Sequence, residues 1–125
     1  MTERKRERGQ AAVLTVVFMI VLLGMAAAVL DVGSWYKEDR ELQATMDAAA
    51  LAGAQALPDD TAEASALAEQ YSTTNGGGLD ETEITATKIT DDTIQVTGSR
   101  PAPGFFSKVI GIDSVTVNAT ATARV

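Results

Sequence analysis

The run AAVLTVVFMIVLLGMAAAVL, residues 11–30, is twenty residues long and carries no charge. Only Thr15 and Gly24 interrupt its apolar character. A hydrocarbon core of about 30 Å is crossed by about 20 helical residues rising 1.5 Å each. The run therefore predicts a transmembrane helix in preference to a buried helix of a soluble domain. A cleaved signal peptide is the rival reading, since Ala26-Ala27-Ala28 offers a small-residue site after a basic leader. Against it, the run is longer than the usual apolar region of about 7–15 residues.

The flanks orient the span. Arg4, Lys5, Arg6 and Arg8 give residues 1–10 a charge of +2, whereas Asp31, Lys37, Glu38, Asp39, Arg40 and Glu41 follow the run. A basic excess on one side predicts a cytoplasmic N-terminus and an extracytoplasmic remainder. The expected division is a basic leader (1–10), a single span (11–30) and a small extracytoplasmic module (31–125). Of the net charge of −7, the chain beyond the leader carries −9. So acidic a body is a poor partner for nucleic acid or anionic headgroups. Trp35 and Tyr36 fall just past the run, where amphipathic rings favour the membrane interface.

Farther out, LQATMDAAALAGAQAL, residues 42–57, is half alanine and glycine and holds a single charge, Asp47. Asp39, Gln43 and Asp47 form a polar stripe that fades into Leu51 and Gln55. Thr45, Ala49 and Gly53 form a stripe of small residues, and Ala48, Ala52 and Ala56 a second beside it. Gly24 and Ala28 repeat the spacing inside the span. Small side chains four apart let another helix approach closely. Helix propensity alone accounts for the alanines, but not for the scarcity of charge after Asp47, so packing on more than one side is expected. No proline occurs before Pro58. The residues allow two helices broken near Gly33-Ser34, or one helix over 10–57, about 72 Å long at 1.5 Å per residue.

After Pro58, Asp60 and Glu63 read as an N-cap with its capping partner. A helix over about 61–72 follows, with Ala64, Leu67, Ala68 and Tyr71 on its apolar face. TTNGGG (73–78) ends it in a turn. Strands are expected at 83–90 and 93–100, joined by a turn at Asp91-Asp92. PAPG (101–104) breaks the chain, and GFFSKVIGI (104–112) has helical spacing. The last strand places Val115, Val117, Ala119, Ala121, Ala123 and Val125 on one face and Thr116, Asn118, Thr120, Thr122 and Arg124 on the other. The fold class is therefore α+β: a long N-terminal transmembrane helix running into an alanine-rich helix, a second short helix, and an antiparallel sheet of about three strands. A sheet of that size needs a helix over its apolar face.

Chemistry is scarce. The chain has no histidine and no cysteine, so the commonest general base, nucleophile activator and zinc ligand are missing. Asp59-Asp60 and Asp91-Asp92 read as a cap and a turn before they read as acid/base pairs. Asn75, Asp80 and Glu81 lack the ligand spacing of a calcium loop, and Gly76-Gly77-Gly78 is not a phosphate loop. Asn118-Ala119-Thr120 matches a glycosylation sequon inside a strand. No cofactor, metal or small-molecule substrate is expected. Asp31, one residue past the span, is a candidate interfacial charge, facing water or a neighbouring subunit.

Together these segments resemble the Tad (tight-adherence, Flp) pilus-assembly proteins of the TadE/TadG-like group. The resemblance rests on the basic leader ending in Gly9-Gln10, the span closing on LDVG (30–33), and residues 42–57 followed by proline. GFFSKVIGIDSVTVNATATA (104–123) is similar to the C-terminal stretch of short members. The resemblance implies a membrane-anchored, pilin-like, non-enzymatic part of a pilus or secretion apparatus, with other pilus components or further copies of itself as partners. It also implies a prepilin-type cleavage junction between Gly9 and Gln10. Leu14 stands where pilins usually carry glutamate, a residue that TadG-type proteins commonly lack. The alternative is a secreted or tethered module binding a wall polymer or surface ligand, which aromatics clustered near Trp35, Tyr36, Phe105 and Phe106 would favour.

Overall fold

The structure, a computed structural model, describes residues 2–75 and 84–125. The glycine turn at 76–78, Asp80, Glu81 and the strand start expected at Glu83 lie outside the described residues. The elements run α1 (Thr2–Ala54), α2 (Thr61–Asn75), β1 (Ile84–Thr90), β2 (Thr93–Pro103), a 3-10 turn (Ser107–Ile110) and β3 (Ser114–Arg124).

Of the two helical alternatives, the continuous one is found. α1 is a single helix of 53 residues, about 80 Å long at 1.5 Å per residue. It passes through Gly24 and Gly33 without a break and takes in the basic leader. Its end comes three residues earlier than the sequence suggests. Gln55, Ala56 and Leu57 donate their N–H groups to carbonyls three residues back, at 3.1–3.2 Å. The helix thus tightens into a turn before Pro58, as helix termini commonly do. Asp60 then caps α2: its Oδ1 accepts from the N–H groups of Ala62 and Glu63, both at 2.9 Å. The return half of the expected capping box is taken by the Ala56 carbonyl, which receives the Asp60 N–H at 2.9 Å.

The sheet has the order β1-β2-β3, antiparallel throughout. Asp91 opens the two-residue hairpin turn at φ 40°, a backbone state that such turns demand and aspartate tolerates. Residues 101–103, expected to break the chain, instead prolong β2, with Pro101 opposite Thr116 and Pro103 opposite Ser114. The described part of β1 pairs as far as Ile84 opposite Gly98. Beyond that point, among the described residues, β2 has β3 on one side alone, so a missing N–H on the other side costs no ladder bond there.

One face of the sheet packs on the outer part of α1. Leu42, Met46, Ala49, Ala50 and Ala54 of α1 meet Ala64 and Ala68 of α2, Ile94 and Val96 of β2, and Ala119, Ala121 and Ala123 of β3. Val125, expected on this face, lies beyond the strand end and is exposed. Alanines on both α1 and β3 bring helix and sheet close together, and Leu42, Met46, Ile94 and Val96 fill the space left between them. Burying each of these four contributes about 1.5–3 kcal/mol. The opposite face of the sheet is polar. Thr97 and Thr120 pair across it with their Oγ1 atoms 3.2 Å apart. The module therefore builds one core around the last third of α1 and leaves residues 7–30 outside it.

Candidate functional site at the exit of the span

α1 carries two environments in one helix. From Glu7 to Leu30 every residue is exposed except Ala27, which is half-buried. This is the one helix long and apolar enough to cross a membrane among the described residues. Asp31, the next residue, is 3% exposed. The change occurs where the loop between β2 and β3 folds against α1.

Asp31 holds that loop. Its Oδ1 accepts the Phe105 N–H at 2.9 Å, and its Oδ2 accepts the Ser107 N–H at 2.6 Å. The Phe106 N–H lies 3.1 Å from both oxygens. These donors stand at the start of the 3-10 turn, where backbone N–H groups lack internal partners and favour a negative charge. Ser107 closes the loop by donating its Oγ–H to the Ile112 carbonyl at 3.0 Å and accepting the Ile112 N–H on its own carbonyl at 3.0 Å. Gly104 has to be glycine: a Cβ there would collide with Ser107 Oγ and stand 3.1 Å from Asp31 Oδ2. Burial pushes the Asp31 carboxyl up, but the N–H bonds from Phe106, Ser107 and Phe105 outweigh it and hold the group below the usual aspartate range. Asp31 is thus a clamp inside the chain. The interfacial charge expected at this position is enclosed by the chain's own backbone.

A second tie lies about two turns farther out along α1. Arg100 is 5% exposed and points at α1, placing Nη1 2.9 Å from Glu38 Oε2 and 3.9 Å from Glu41 Oε2. Sequence reading missed this contact, though the parity of β2 carried it. Arg100 shares the inward face with Ile94 and Val96, and an inward arginine requires a carboxylate partner. Gln43 makes a third tie, donating to Asp47 Oδ1 at 2.9 Å and to the Thr120 carbonyl of β3 at 3.1 Å.

The small-residue positions divide between the two environments. Thr45, Ala49, Ala52 and Gly53 are buried, and Ala48 and Ala56 are half-buried. A Cβ on Gly53 would stand 2.5 Å from Ile94 Cδ1 and 2.7 Å from the Ala64 carbonyl oxygen. This stretch of α1 is therefore occupied by α2 and the sheet of its own chain. Gly24 and Ala28 are the reverse case: both are exposed, and nothing stands within 4 Å of a Cβ placed on Gly24. Gly9 and Gln10 lie exposed within α1.

Phe106 and Trp35 line one groove beside Asp31, while Phe105 and Tyr36 are exposed nearby. The enclosed Trp35 Nε1–H has no acceptor among the described residues.

Residues 9–56 match the family model described as "Putative Flp pilus-assembly TadE/G-like". The match begins at the end of the basic leader and stops in the turn that closes α1. No curated protein and no solved structure gives a significant match.

Proposed function

We propose, from the match of residues 9–56 to the Flp pilus-assembly TadE/G-like family model, that this protein is a non-enzymatic, pilin-like structural subunit anchored in the membrane by a single span. It works by helix packing within a pilus or related secretion apparatus. The observation that carries this reading is the division of α1. One end builds the module's core, while residues 7–30 stand exposed with an apolar surface that no water-soluble monomer would leave bare. Lipid covers most of that surface, and the Gly24–Ala28 face is left for a neighbouring helix, from another pilus component or a second copy. The positive-inside rule places the leader in the cytoplasm and the module outside.

Two experiments test the reading. After alkaline carbonate washing of membranes, the full chain is expected in the pellet. Recovery of a soluble chain beginning near Val29 would end the single-span reading. Affinity purification from cross-linked cells is expected to bring down other pilus-assembly proteins, and a module that captures only a wall polymer would favour the binding-module alternative. Trp35 and Phe106 do gather, as that alternative expects, but they do so at the exit of the span, where such rings equally suit the membrane interface, so the aromatics do not separate the two readings.

A further inference from the structure

The loop that Asp31 holds is apolar on its outside. Phe105, Val109 and Ile110 are 73%, 87% and 76% exposed, and Phe106 and Ile112 are 46% and 43% exposed. Side chains of this kind on a water-facing loop would be an aggregation hazard. Their position changes the reading. The groove between loop and helix is lined on one wall by Phe106, Val109 and Ile110, and on the other by α1 from Trp35 back to Leu23. Leu23 lies eight residues before Asp31, about 12 Å toward the centre of the span at 1.5 Å per residue. Ala27, the half-buried residue of the run, lies one turn before Asp31 and also lines this groove. The loop therefore hangs alongside the outer turns of the span, at the depth where the span itself lies in hydrocarbon.

The geometry points to insertion of residues 105–112 into the adjacent membrane leaflet, with lipid acyl chains filling the groove between this loop and residues 23–35 of α1 as long as the subunit is unassembled and no neighbouring helix covers Gly24 and Ala28. The occupant follows from continuity. The loop's exposed surface merges with the apolar surface of the span, whose partner is lipid, and the groove has apolar side chains on both walls. Lys108 is the single charge between Gly104 and Ile112 and is itself exposed. Its long apolar stem lets the ammonium return to the headgroup layer while its neighbours stay in hydrocarbon. Asp31 then acts as the clamp fixing the depth and tilt of the module, because it ties the backbone N–H groups of three successive loop residues to the helix.

This inference rests on the anchoring reading given above, and one set of measurements separates the two. The chain has no cysteine, so Ile20→Cys, Val109→Cys and Thr122→Cys each take a single spin label. The full-length variants are reconstituted into phosphatidylcholine bilayers, and the accessibility of each label to oxygen and to a water-soluble nickel chelate is measured. Oxygen should dominate at positions 20 and 109, and the nickel chelate at 122. If position 20 reads as water-exposed, the anchoring reading fails and the loop inference falls with it. If position 20 reads as lipid and position 109 as water, the loop inference alone is overturned. It is equally overturned if position 109 is shielded from both reagents, since a second protein surface then covers the loop. Adding Asp31→Ala to Val109→Cys is expected to shift position 109 toward the nickel chelate while position 20 stays in lipid.

Discussion

Asp31→Asn separates the clamp's charge from its shape. The amide keeps one acceptor oxygen and brings an NH2 group against the N–H donors of Phe105, Phe106 and Ser107, so the variant should unfold at lower temperature in detergent micelles. The pH dependence follows from the direction of the shift. The folded carboxyl titrates below its unfolded value, so its contribution is complete above about pH 4 and is lost as pH falls through the folded value. The gap in Tm between wild type and Asp31→Asn should therefore narrow in acid; a constant gap would show that charge has no part in the clamp. Arg100 gives a second test at this scale. Glu38→Gln removes the charge that stands 2.9 Å from the buried guanidinium but keeps an acceptor oxygen. The expected cost is about 1–3 kcal/mol, below the range for a fully buried pair because water reaches Glu38. Glu41→Gln should cost less, and urea unfolding of both variants checks the order. Asp31's position was legible as a charge at the end of an apolar run. Its partners were not, because three N–H groups more than 70 residues away are a product of the fold and have no side-chain signature.

At the scale of elements, the patterns that repeated were legible. β3 shows its two faces through strict alternation, and α2 announces itself through Asp60 and its apolar spacing. The prolines at 101 and 103 misled because proline forbids a strand only where both neighbours need its N–H. That depends on where β1 begins, which no local pattern reveals. The small-residue stripe Thr45-Ala49-Gly53 was legible as a close contact, but the contacting partner was not, and it proves to be α2 and β2 of the same chain. Ala49→Leu and Gly53→Leu therefore test folding first. Even Gly53→Ala should destabilise. The methyl meets the Ala64 carbonyl, a backbone atom that cannot swing aside. Overpacking of about 1–3 kcal/mol is only partly offset by the gain of about 1 kcal/mol in helix propensity. Increased stability of Gly53→Ala on thermal unfolding would mean that α1 and α2 separate more easily than the contact suggests. Processing belongs to the same helix. Gly9 and Gln10 sit within continuous α1 and Leu14 replaces the glutamate usual in pilins, so intact-mass analysis from peptidase-positive cells is expected to retain residues 1–9.

Taken whole, the molecule is a rod with a small domain built around its outer third, and its unused surface lies along the rod. The core encloses Ala49 and Gly53, whereas Gly24 and Ala28 are exposed on the span. A large side chain at either position should therefore leave the module undisturbed and act only on what approaches from outside. Gly24→Leu and Ala28→Leu are expected to keep the wild-type Tm, because no atom of the chain stands in the way at Gly24 and Ala28 is exposed. A helix that packs closely on this face would have to move outward, at a cost of about 1–3 kcal/mol, equivalent to about a 5- to 150-fold loss in association. Quantitative cross-linking in the membrane, against both pilus-assembly partners and a differently tagged second copy, reads that loss and identifies which partner is lost. Ala49→Leu is the control of opposite sign, lowering Tm first and cross-linking only as a consequence. If Gly24→Leu and Ala28→Leu both cross-link as wild type, the small residues of the span are spacing among lipids, and the assembly contact must lie elsewhere on the rod or on the module.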